Sequence, residues 1–140
     1  MSTFDEKRQI IYCDICNTLI DLGIRPHLDG YGYLVSALML VVFNPSELKP
    51  ITGSLYPKIA EELCVGDSKK VEHSIRTAIN KAFNDGDIDT LHEYFGQNIG
   101  TSTGKVTNLS FIAIVSERIR LRYDIVSADF AVERHCNKFD

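Results

Sequence analysis

No apolar run in this sequence is long enough to cross a membrane. The longest, LMLVVF from Leu38 to Phe43, lies in a mixed segment that begins at Leu34. A spanning helix needs roughly 20 apolar residues, so this run reads as a buried helix. The opening MSTFDEKRQI lacks a basic stretch followed by a long apolar one, and so does not read as an export signal. The expected compartment is the cytoplasm, with no membrane partner. The four cysteines, Cys13, Cys16, Cys64 and Cys136, are then expected to be reduced, buried structural thiols.

Positive charge is not in excess either. Fifteen Lys and Arg face 19 Asp and Glu, a net charge of −4 with a pI near 5.5. Phosphate binding needs Lys and Arg where the phosphates lie, so only a local basic face could support nucleic-acid binding. With 9 Gly and 4 Pro, there is no collagen-like or disordered bias. Strand-like alternation, internal repeats and low-complexity tracts are all lacking. What remains is 140 residues, 44% apolar and 24% charged, enough for one domain, 1–140, with its own core.

Helical periodicity fills that domain. Ile11, Ile15, Leu19 and Leu22 share one face of a first helix, from about Phe4 to Leu22, which Gly23 stops. A second helix, from about Tyr31 to Phe43, is apolar nearly all round and should be central. Ser46 is expected to cap a third, with Pro50 in its first turn. PKIAEELC should be a short helix with Ile59, Ala60 and Leu63 inward. The turn Val65-Gly66-Asp67 follows, then a helix from about Lys69 to Asn84 capped by Asp67 or Ser68. Asp87 and Gly96 bracket another short helix. QNIGTSTGKVT reads as loop, Asn108 as the cap of the last long helix, and 127–140 as a tail. The expected fold class is all-α, a bundle of six to seven helices.

Two helices joined by a short Gly-containing turn are the local signature of a helix-turn-helix. In the second of the pair, Val71, Ile75, Ile79 and Phe83 recur at four-residue steps and should be buried. At about 100° per residue, the opposite arc carries Lys69, Lys70, Glu72, His73, Arg76, Thr77 and Asn80, with Lys81 continuing it. These side chains can hydrogen-bond base edges or phosphates. A solvated polar face on an ordinary amphipathic helix explains the same pattern.

Longer motifs narrow the choice. GIRPHLDGYGYL, ITGSLYPKIAEEL, VEHSIRTAINKAF, DGDIDTLHEYFG and KVTNLSFIAIVSERIRLR together resemble the C-terminal effector domain of the sporulation-initiation response regulators. The resemblance covers about residues 15–121. It implies an all-helical, sequence-specific binder of double-stranded DNA that regulates transcription, with a recognition helix at about 69–84 in the major groove and neighbouring protomers packed on tandem boxes. The family reads bases with two Arg, a Glu and a His. The Glu is kept as Glu72; Lys70 and His73 stand at the two Arg positions, and Thr77 at the His position. Arg76 matches a family Arg. Base readout is therefore expected from Lys70, Glu72, His73, Arg76 and Thr77. Ser68, Lys69, Lys81, Lys58 and Lys105 are expected on phosphates.

The departures have physical consequences. Arg can grip guanine with two hydrogen bonds, whereas Lys supplies a point charge. The turn before the recognition helix is one residue longer than the family's. About 14 residues precede Ile15, so the family's phosphoacceptor domain is not expected within this chain. A second reading follows from these losses and the net charge of −4: an interaction module that keeps the fold, does not bind DNA tightly, and associates with a full-length regulator of the same family.

Other constellations carry less. Cys13-Asp14-Ile15-Cys16 is a CxxC, but Cys64 and His135-Cys136 do not make a second pair at zinc-site spacing. No strand precedes it, as a thioredoxin-like motif requires. His27, His73, His92 and His135 show no HExxH or nucleophile–base pattern. Ser54 lacks a GxSxG turn. GTSTGK, Gly100 to Lys105, is followed by Val106 rather than the Ser or Thr of a phosphate loop. No catalytic residue, metal site or cofactor is expected.

Overall fold

The computed structural model describes residues 3–96 and 106–125. The expected loop around Gly100 to Lys105 and the tail 127–140 lie outside them. Among the described residues there are six α-helices and no strand: α1 Thr3–Asp21, α2 Asp29–Phe43, α3 Tyr56–Glu62, α4 Ser68–Asp85, α5 Ile88–Phe95 and α6 Asn108–Tyr123. None of them is long and apolar enough to cross a membrane.

α2 lies at the centre, as its all-round apolar sequence requires. Tyr33 to Leu38 are buried without a break, as are Val41 and Val42. α1, α4 and α6 pack against it. From α1 come Ile11, Ile15, Leu19 and Leu22; from α4, Val71, Ile75 and Ile79; from α6, Phe111, Ile112, Val115 and Ile119. α1 ends as expected at Gly23, whose φ of 97° lies in the left-handed region. The returning amide of Ile24 then donates to Leu19 O at 2.9 Å.

Several expectations change. No third helix is capped by Ser46. Pro45–Leu48 is one 3₁₀ turn and Ile51–Leu55 one π turn, with Lys49 and Pro50 extended between them. The cause lies in the prolines: Pro45 suits a helical first position, and Pro50 forces the preceding residue out of helical geometry. Leu63 is not inward but 40% exposed, because α3 has already ended. Thr107, not Asn108, caps α6; its hydroxyl accepts from Ser110 N at 3.1 Å. Phe83 is half-buried rather than buried; it packs on Phe95, with ring centroids 5.5 Å apart. Cys13 and Cys64 are exposed and Cys16 is half-buried, so none of these three is an enclosed core thiol.

Candidate nucleic-acid interface

α4 begins where Asp67 accepts from Lys69 N at 2.9 Å, which satisfies one of the free amides of the first turn. The preceding turn does not use glycine for its tightest residue. Cys64 takes the left-handed conformation, φ 58°. There Val65 N reaches back to Ala60 O at 2.8 Å and closes α3. Five residues, 63–67, thus join α3 to α4.

Two contacts on opposite flanks fix α4 in place. On one flank, Gly30 at the start of α2 lies so close that an added Cβ would stand 2.3 Å from Ser74 O and 2.8 Å from Ala78 Cβ. Only a residue without a side chain allows that approach. On the other flank sits Asn108, the first residue of α6. Its Nδ2 donates to Tyr56 Oη at 3.0 Å and to Glu72 O at 3.1 Å. One amide thereby joins α3, α4 and α6. Tyr56 is 3% exposed. Burial pushes its phenol up and the Glu72 charge adds to this, while the Asn108 bond and Arg76 act the other way. The hydroxyl is therefore a neutral partner.

Between these anchors the outer arc of α4 is open. Lys69, Lys70, His73, Arg76, Asn80 and Lys81 are exposed; Ser68, Glu72 and Thr77 are half-buried at its edges. All five residues expected to read bases, Lys70, Glu72, His73, Arg76 and Thr77, stand on this one helix, together with Ser68, Lys69 and Lys81. Lys58 does not join them: it lies on α3 and pairs with Glu47 at 2.5 Å. Lys105 falls outside the described residues.

The arc is internally paired in a way the sequence spacing revealed only in part. Arg76 Nη1 is bonded to the Glu72 carboxylate, an i,i+4 pair, and its Nη2 lies 3.1 Å from His73 Nδ1. The guanidinium is thus held between two neighbours on its own helix. Lys70 Nζ is 3.5 Å from the carboxylate of Asp29 on α2, and Arg25 meets Asp85 at 2.8 Å beyond the far end. Neither contact was visible in the sequence, because each joins residues far apart in the chain. Beside Arg76, a recess lined by Ile51, Tyr56, Glu72, Asn80 and Leu109 separates α4 from the start of α6. No group of three or more His, Cys, Asp or Glu able to hold a metal occurs among the described residues.

A helix on the outside of an all-α bundle, polar and locally cationic on its free side, is an arrangement that helical DNA-binding domains use. The family model described as sporulation initiation factor Spo0A C terminal matches residues 15–119, and the chain belongs to that family. It is a family of DNA-binding sporulation-regulator domains and not an enzyme family.

Proposed function

We propose that this chain is a sequence-specific regulator of transcription that binds double-stranded DNA, with α4 in the major groove. The observation that carries the reading is the open arc of α4. Four cations, Lys69, Lys70, Arg76 and Lys81, share it with one carboxylate of α4 itself, Glu72, while Asp29 of α2 reaches Lys70 from the side, on a protein whose net charge is −4. A local cationic surface on an acidic chain is what phosphate contact needs. On this reading Lys70, Glu72, His73, Arg76 and Thr77 face base edges. Ser68, Lys69 and Lys81 take phosphates nearby, and Lys58 and Lys105 further out. Glu72 can accept from a cytosine amino group, and Arg76 can donate to guanine. Sporulation genes are the expected targets.

The test compares two variants on a duplex selected from random sequences and on a scrambled one, across a salt series. Glu72→Ala removes a base reader and releases Arg76. Affinity for the selected duplex should fall by about 1–3 kcal/mol while the scrambled duplex holds or gains. Lys69→Ala should weaken both and flatten the salt dependence by about one unit of slope. If both variants lose affinity equally on both duplexes, α4 does not read bases.

The internal pairing of Arg76 and Lys70 favours a second reading, an interaction module that associates with a full-length relative and leaves DNA to it. Absence of any duplex-binding signal, with co-elution alongside such a regulator, would decide for that reading.

A further inference from the structure

We infer that Asp29 is a built-in competitor for the DNA-facing cation Lys70, and so sets an upper limit on the affinity of α4 for a duplex. The inference rests on the DNA reading above and adds to it a residue from another helix that works against binding.

Asp29 is the first residue of α2, and its neighbour Gly30 is pressed onto the α4 backbone at Ser74. That contact leaves no room for α2 to shift sideways. The backbone of Asp29 is therefore held beside the start of α4, with its carboxylate 3.5 Å from Lys70 Nζ. Along α4, Lys70 and Ser74 stand four residues apart on one flank, and the start of α2 lies on that flank. Gly23 lies against Ala82, Arg25 against Asp85 and Gly30 against Ser74. The acid thus enters the cationic arc from the side, at the position where the family resemblance places a base-reading Arg.

A duplex must take Lys70 away from this carboxylate, and a phosphate backbone brought close to Asp29 meets a like charge. The side chains are 54% and 65% exposed, so the pair is solvated and exchanges readily. Its effect on affinity is a matter of a few fold, since exposed ion pairs of this kind are weak. Asp29 also sits in the first turn of α2, where a negative charge is favourable. The fold thus has its own use for the acid.

The experiment is a double-mutant cycle on duplex affinity, using Asp29→Asn and Lys70→Ala singly and together on the selected duplex, with Lys69→Ala as reference. Asp29→Asn should tighten binding by about two- to five-fold and steepen the salt dependence by about one unit of slope. In the Lys70→Ala background the same change should do distinctly less. Thermal unfolding of Asp29→Asn should show an unchanged or slightly lower midpoint, separating tighter binding from a more stable fold. An equal gain in both backgrounds overturns the inference, because Asp29 then acts without Lys70. No gain in Asp29→Asn while Lys69→Ala still weakens binding also overturns it and leaves the DNA reading standing. Failure of the unaltered protein to bind any duplex removes both.

Discussion

Asn108 donates through one amide nitrogen to two acceptors on two other helices, and it is 9% exposed. From sequence, an Asn before an apolar run reads as a helix cap. Here the cap is its neighbour Thr107, and the amide turns inward instead. Local spacing cannot distinguish these roles, because the partners, Tyr56 and Glu72, are 52 and 36 residues away. Replacing Asn108 with Ala leaves the Tyr56 hydroxyl and the Glu72 carbonyl without that donor. Leaving the buried Tyr56 hydroxyl unsatisfied costs about 1–3 kcal/mol. In urea, the unfolding midpoint should drop while the denaturant slope stays constant. An unchanged midpoint would mean the amide is not a structural tie.

At the scale of elements, the α3–α4 pair and the place of its turn were legible, and the backbone conformation within the turn was not. The caps of α4 and α5, Asp67 and Asp87, stand where side-chain type predicts, each accepting from a first-turn amide. The burial of Val71, Ile75 and Ile79 follows the four-residue step. The step weakens one turn later at Phe83, which is half-buried at the edge of the core and packs on Phe95 of α5. In the turn, Gly66 does not take the left-handed conformation: among the described glycines positive φ occurs at Gly23 and Gly96, while Cys64 adopts it between α3 and α4. A side chain in that region costs roughly 1–2 kcal/mol. Cys64→Gly should therefore stabilise the fold by about 0.5–1 kcal/mol once the greater freedom of unfolded glycine is subtracted. A rise in melting temperature checks this, and a fall would show that the Cys64 side chain contributes more than its strain removes. Gly30→Ala should do the opposite. Its Cβ meets the backbone of α4, which cannot yield as a side-chain tip can, so a loss of about 1–3 kcal/mol is expected. Duplex affinity should fall with it in a binding titration, because α4 is displaced.

Across the whole molecule, the all-α class and the central place of α2 could be read from periodicity alone. The joining of α1 to α6 could not. Asp14 on α1 accepts from Arg122 Nη1 at 2.7 and 2.9 Å, from Tyr123 Oη at 2.6 Å and from Thr18 Oγ1 at 3.0 Å. Burial alone pushes its carboxyl up, but the bonds from Tyr123, Arg122 and Thr18 and the Arg122 charge outweigh it and hold the group below the ordinary value of 3.8. The folded form thus binds this proton less readily than the unfolded chain. The resulting stabilisation is complete above 3.8 and is lost as pH falls through the lowered value. Asp14→Asn should cost about 1–2 kcal/mol near neutral pH, discounted because Arg122 is 40% exposed. The gap in melting temperature between the two proteins should close under acid. A gap that persists there would assign the effect to packing rather than charge.

The enclosure of α2 has a mechanical consequence. α4 and α6 both rest on a helix that is buried from Tyr33 to Leu38 without a gap, and close-packed interiors transmit strain rather than absorb it. A load applied to the outer arc of α4 is passed to the bundle beneath it, which resists a change in the shape of the arc. The stiffness of double-stranded DNA varies from one base step to the next. If the arc and the groove do not match in shape, the duplex does the bending. Sequences that bend easily would then be preferred even at base pairs no side chain reaches.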